Sequence, residues 1–235
     1  MRHLHSFSLG LIVVGLAGLA RSPAEAIRQS TETGTIAGRV KLTTRVPGAR
    51  LPTNAYPTRR VGRRNLPAIP EIQNVVVYVK GVTFRGTLPT VTAELKQEDE
   101  AFVPHILAIT RGSTVSFPNA DPFFHNVFSL SGAASFNLGR YSQGHTHTYK
   151  FTKPGLVKVY CDIHSHMSAT IMVVDHPYFA IPGVDGTFEL RDVPSGQYTV
   201  VGWHERVGER TLPVRVEPGK TTSIEITLPV EEPAK

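Results

Sequence analysis

Apolar and polar residues alternate in short runs along most of this chain, with the period of β-strands rather than of helices. The alternation predicts strands at Thr35–Leu42, Asn74–Val79, Val91–Gln97, Ile106–Thr110, Thr114–Phe117, Asn126–Leu130, His145–Phe151 and Leu156–Cys161. It continues at Ala169–Val174, Thr187–Leu190, Gln197–Val201, Leu212–Val216 and Thr222–Leu228. No window sustains helical periodicity, and 20 glycines and 18 prolines punctuate the runs, so the expected fold class is all-β. Ile171–Val174 departs from alternation, being apolar at every position; such a strand is expected to be covered on both faces.

The first 26 residues read differently. Phe7–Ala20 is an apolar run of 14 residues, with Arg2 before it and Ala24-Glu25-Ala26 after it. That is the layout of a cleavable export signal, and the run is shorter than the roughly 18–20 residues of a membrane span. The mature chain is therefore expected in the periplasm or outside the cell, without a transmembrane span. Charge is uneven. The net is +6, yet residues 27–66 hold nine Arg/Lys against the single acid Glu32. Within that region, residues 45–70 are rich in Arg and Pro and lack alternation. They read either as a docking arm for an acidic partner or anionic membrane surface, or as a solvated loop. Their basic run has no interleaved aromatics, so nucleic acid is not an expected partner.

Export changes the meaning of the one cysteine. Exported proteins use cysteines in pairs, because the compartment oxidises thiols. Cys161 has no second cysteine to pair with, so it is either buried and inert, intermolecular, or held by a metal. The strand VKVYC delivers it, and His164, His166 and Met167 follow within six residues. A thiolate, an imidazole and a thioether in one strand-to-strand turn make a soft metal site, and His2Cys with a weak Met is a blue-copper ligand set. A further histidine must come from elsewhere, and His125, opening an apolar strand after a polar turn, is the candidate. Zinc is the competing ion, but it wants four strong ligands or an open position beside a base. Haem c requires a second cysteine, and neither a Ser-His-Asp motif nor a phosphate-binding glycine loop is present.

FPNADPFFHNVF followed by YCDIHSHM resembles the two ligand loops of the cupredoxins. The spacing Cys161, His164, Met167 is similar to the short loop of amicyanin; a plastocyanin pattern would put the axial ligand at Ala169, and an azurin-like one would use His166 and Thr170. The resemblance spans roughly residues 90–176. It implies one copper ion, cycling between Cu(I) and Cu(II), held by His125, Cys161 and His164 with Met167 weak and axial. It also implies that Asn126, beside a ligand, ties the two ligand loops together. By the same resemblance the protein is a single-electron carrier between redox protein partners and not an enzyme. Electrons would leave through His164 at an apolar patch of Phe123, Phe124 and Met167. Two alternatives stay open: copper storage or delivery with His145, His147 and His166 as extra ligands, or the relay subunit of a copper oxidoreductase. Alternation points His166 away from the metal, and His105, His176 and His204 read as structural.

Three other pieces, GTIAGRVKL (34–42), QNVVVYVKG (73–81) and DGTFELRDVPSGQYTV (185–200), resemble carboxypeptidase regulatory-like domains, which are transthyretin-like sandwiches. The last reads as a hairpin, two strands joined by a Pro-Ser-Gly turn. The expected organisation is a signal (1–26), then a cupredoxin Greek-key sandwich (91–176) of about eight strands. That sandwich is inserted in, or packed on, an Ig/transthyretin-like sandwich built from 27–90 and 177–230, with a tail at 231–235. Gly34–Leu42 should then pair with a C-terminal strand, and Trp203 should lie in a core or a domain interface.

Overall fold

The computed structural model describes residues 32–43 and 70–230. The expected signal, residues 45–69 of the Arg/Pro-rich stretch and the tail lie outside the described residues. In chain order the elements are β1 (Thr33–Leu42), one 3-10 turn (Glu71–Asn74), β2 (Val75–Lys80), β3 (Thr92–Glu94), β4 (Lys96–Glu98) and β5 (Ala101–Val103). Then come β6 (Ile106–Thr110), β7 (Thr114–Pro118), β8 (His125–Ser131), β9 (Ala134–Tyr141), β10 (Thr146–Lys150) and β11 (Gly155–Tyr160). The last are β12 (Ser168–Val174), β13 (Phe179–Ala180), β14 (Thr187–Pro194), β15 (Gly196–His204), β16 (Gly208–Val216) and β17 (Thr221–Leu228). The protein is all-β.

Two pairs of sheets enclose two cores. In the central pair, β6-β12-β11-β8-β9 faces β10-β7-β3, and the inward residues of each strand, such as Val115, Phe117, Val127, Val159 and Ile171, fill the space between. In the outer pair, β14-β1-β17 faces β13-β2-β15-β16, around Ile36, Val77, Leu190, Val200 and Ile226. Strand β1 lies between β14, antiparallel, and β17, parallel, so an N-terminal strand is closed by strands from the far end of the chain. Gly38 makes that closure possible. A Cβ there would sit 2.2 Å from the Ile224 carbonyl oxygen, a separation no side chain can occupy.

The two sandwiches touch through the outward faces of two sheets. Val76, Val201 and Trp203 form one buried cluster with Ile106 and Met172, and Tyr78 and Ala108 pack on its rim. This is why Ile171–Val174 is apolar throughout: Ile171 and Val173 face the central core while Met172 faces the outer sandwich.

Several expectations need correction. Residues 185–200 do not form a hairpin, because β14 and β15 belong to different sheets; the Pro-Ser-Gly turn carries the chain from one layer of the sandwich to the other. Val91–Gln97 is two strands, β3 beside β7 and β4 beside β5, changing partner at the fully buried Leu95. Between residues 91 and 176 there are ten strands rather than eight. The unforeseen β5 is three residues long, and β9 carries glycine and asparagine, which have poor strand propensity.

Candidate metal centre

Two strand ends deliver the site. The turn before β8 is folded by Asn119, whose side-chain oxygen accepts the Asp121 N–H at 2.9 Å and whose amide donates to the carbonyls of Phe123 and Tyr141. This Asx turn sets Asp121 against the ring of His125, the first residue of β8. On the other side, Cys161 ends the β11 run and a tight loop returns at Met167. The loop is closed by Cys161 N–H donating to the Met167 carbonyl (3.3 Å) and Met167 N–H donating to the His164 carbonyl (2.9 Å).

His125 Nδ1 and His164 Nδ1 lie 3.1 Å apart, and each lies 3.9 Å from Cys161 Sγ. His125 and Cys161 are buried, His164 half-buried. Among the described residues this is the one His/Cys/carboxylate cluster whose ligand atoms converge so closely, all within 4.8 Å. The Nε2 of His125 donates to Asp121 Oδ2 at 2.7 Å. That fixes the tautomer and leaves Nδ1 as the inward-facing donor atom. Met167 is 1 % exposed and belongs to the same buried cluster as Cys161.

Electrostatics favour the thiolate at Cys161. At His125 burial is outweighed by the bonds and charges of Cys161 and Asp121, which raise the imidazole, so a bound metal competes with a proton there. Burial alone would raise the Cys161 thiol, but the His125 contact and the backbone N–H groups of Asn126, His164 and Ile163 outweigh it and bring the thiol down to about 6. Burial would also raise Asp121. The bonds from His125 and from the Glu100 and Asp99 N–H groups, at 2.9 and 2.7 Å, hold it below the usual carboxylate range instead. The residues present therefore offer a thiolate, two imidazoles and an adjacent thioether. This set can hold a metal ion, and its softness fits copper better than the four strong ligands of structural zinc.

Asn126 partly departs from expectation. Its backbone N–H donates to Cys161 Sγ at 3.4 Å, but its side-chain amide donates to Asn137 and Gly139 on β9. The side chain thus ties β8 to β9, not one ligand loop to the other, and its oxygen is buried without a partner. His166 turns away to Glu100 (3.1 Å), His147 stacks on Tyr141 (4.3 Å) and His145 faces Ser142. His204 is buried against Glu71 (3.0 Å). Met167 is too buried for the expected apolar patch, whereas Phe123, Phe124 and Ile163, the neighbour of His164 in the ligand loop, are exposed. The Phe123 ring packs on both His125 (5.1 Å) and His164 (5.4 Å). Asp121 was not anticipated, although a carboxylate four residues before a candidate ligand, in a Pro-Asn-Ala-Asp turn, was the available signal.

No protein-family model matches this chain, and no curated protein matches it. Among solved structures, it is similar to a Cu-containing nitrite reductase (NirK) from Thermus scotoductus SA-01 at 27% identity, over 39% of this chain and 24% of that one, with a TM-score of 0.34. It thus spans about a quarter of the reductase's length. A purple cupredoxin from Nitrosopumilus maritimus aligns at 24% identity, over 34% of this chain and 98% of that one, with a TM-score of 0.32. Amicyanin from Paracoccus versutus aligns at 20% identity, over 37% and 84%, with a TM-score of 0.33. At scores this low, the reading of the centre rests on its own side chains.

Proposed function

We propose that this chain is an exported mononuclear type 1 copper protein that carries single electrons between redox partners. The observation supporting it is the convergence of His125 Nδ1, Cys161 Sγ and His164 Nδ1, with the far nitrogen of His125 already taken by Asp121. These three atoms would hold the ion, with the thioether of Met167 as a weaker fourth ligand. Copper held there would alternate between Cu(II) and Cu(I), accepting and returning one electron. The chain's contribution is a buried donor set anchored on strand ends, which limits rearrangement when the charge changes. A metal-bound thiolate also accounts for an unpaired cysteine in an oxidising compartment.

The architecture is part of the same reading. The copper segment, 91–176, is inserted into a second sandwich built from 27–90 and 177–230 that resembles carboxypeptidase regulatory-like domains; the flanking of β1 by β14 and β17 supports this. Storage or delivery draws no support from His145, His147 and His166, which meet Ser142, Tyr141 and Glu100 and are not among the converging ligand atoms.

Adding Cu(II) to the purified protein tests the reading. One equivalent should produce an intense visible thiolate-to-copper band, absent from Cys161→Ser. Zinc in preference to copper, or several weakly held coppers without that band, would sink it. The docking surface for a redox protein is assigned to Phe123, Phe124 and Ile163, where His164 approaches solvent. Phe124→Glu should slow electron self-exchange, followed by NMR line broadening, roughly tenfold or more, because a charge would then be desolvated in an apolar contact. The visible band should not change. An unaltered rate would move docking elsewhere, the Arg/Pro-rich stretch being the next place to test.

A further inference from the structure

The contact between the sandwiches contains a polar cluster that ligand binding does not explain. Glu205 sits in the turn between β15 and β16, and its carboxylate reaches across to the central sandwich. Its Oε2 meets His105 Nε2 at 2.5 Å, its Oε1 accepts from Thr170 Oγ1 at 3.2 Å, and the Lys158 ammonium pairs with the same oxygen. His105 continues the chain of bonds. Its Nδ1 donates to the Ser168 carbonyl at 3.0 Å, and its own carbonyl accepts the Thr170 N–H at 2.9 Å. Acceptors thus face both ring nitrogens of His105. The turn is itself held from the outer sandwich, by Glu71 bonding His204 and Arg206.

These partners stand on the two strands that carry the ligand loop. Lys158 is on β11, three residues before Cys161. Ser168 opens β12 directly after Met167, and Thr170 follows it on the same strand. The loop hangs between Tyr160 and Ser168, which face each other across the β11–β12 ladder. On its other side β11 pairs with β8 only at Tyr160 and Phe128. A single carboxylate of the outer sandwich therefore braces Lys158 and Thr170, which face each other in the β11–β12 ladder. They lie one rung from the paired Ala169 and Val159 and two from the base of the ligand loop. Apolar packing at Met172 and Trp203 joins the sandwiches, whereas Glu205 reaches past it to the rungs of the β11–β12 ladder beside the loop.

We infer that Glu205 is a positioning residue for the metal centre, through which the outer sandwich holds the Cys161–Met167 loop closed. This rests on the copper reading, so the test has one arm that needs no metal. Amide hydrogen exchange is followed in the full metal-free chain for the wild type, Glu205→Ala and Glu205→Gln. Glu205→Ala should speed exchange at Met167 and Thr170 roughly tenfold or more, as expected from losing hydrogen bonds to a charged group. Ile36 and Val193 in the outer sandwich should exchange as before. With copper bound, the same variant should shift the thiolate-to-copper band and release copper faster, and Glu205→Gln should recover most of both. Thr170→Val removes one bond and keeps the charge; it should show the same loop-confined change in smaller measure, and serves if Glu205→Ala does not fold. Exchange that is unchanged at the loop, or faster everywhere alike, overturns the inference. Absence of the thiolate band in the wild type overturns the copper reading instead, and leaves the exchange arm to decide what Glu205 does.

Discussion

Asp121→Ala is expected to lower Cu(II) affinity roughly 10–100-fold, the usual cost of removing a group that orients a metal-binding imidazole. The carboxylate does three things at once. It accepts His125 Nε2–H, so that Nδ1 keeps its lone pair for the metal, and it accepts two backbone N–H groups from the β4–β5 turn. That turn needs holding, because Asp99 and Glu100 both have positive φ (52° and 53°) without being glycines. Asp121→Asn should fall between the wild type and alanine. One amide oxygen can still serve His125 and Glu100, but the Nδ2 group then faces the Asp99 N–H, donor against donor. Removing the negative charge should also raise the reduction potential, since it makes the imidazole a poorer donor to the more highly charged ion. Competition titration against a copper chelator reads the first effect and cyclic voltammetry the second. Affinity within twofold of the wild type would show that the packing of Phe123 alone orients His125.

The sign of the pH dependence follows from the same bonds. The Asp121 carboxyl is held below its ordinary range in the folded protein. Its contribution is therefore complete above the pKa of an unfolded aspartate and is lost only as pH falls through the lower folded value. Metal retention that fails well above that point must come from protonation of a ligand rather than of Asp121.

Much of this centre was legible in the sequence because its chemistry is local. Cys161, His164 and Met167 lie within seven residues, and only His125 had to be brought from a distance. The strand pattern was equally legible in Ile106–Thr110, whose expected and observed limits coincide. What could not be read were contacts that alternation does not encode. Asp121 and Glu205 are ordinary acids until a turn aims them at a histidine. The layer change between β14 and β15 looks in sequence like any Pro-Ser-Gly hairpin, since strand periodicity says which residues face inward and not which sheet receives them. The side chain of Asn126 went to β9 because β9, the unforeseen strand, lies directly beside it.

Trp203→Ala is expected to cost about 3–5 kcal/mol, the range for emptying a buried aromatic site. Trp203 is 7% exposed and packs with Val76 and Val201 of its own sandwich and with Ile106 and Met172 of the other. Neither sandwich can close over the space left behind, because its walls are two β-sheets fixed by their own ladders and cores. The loss should therefore fall on the junction. Wild-type protein should unfold in urea in one transition, with the fluorescence of its single tryptophan and its circular dichroism coinciding. The variant should show two transitions by circular dichroism. The earlier should belong to whichever sandwich depends more on the shared cluster, and amide exchange at Ile171 and Ile36 would identify it, one residue reporting each core. Trp203→Phe keeps part of the volume and should lose less, while holding to one transition. If Trp203→Ala unfolds in a single transition within about 1 kcal/mol of the wild type, the junction contributes little, and the apolar faces of β12 and β15 would need another explanation.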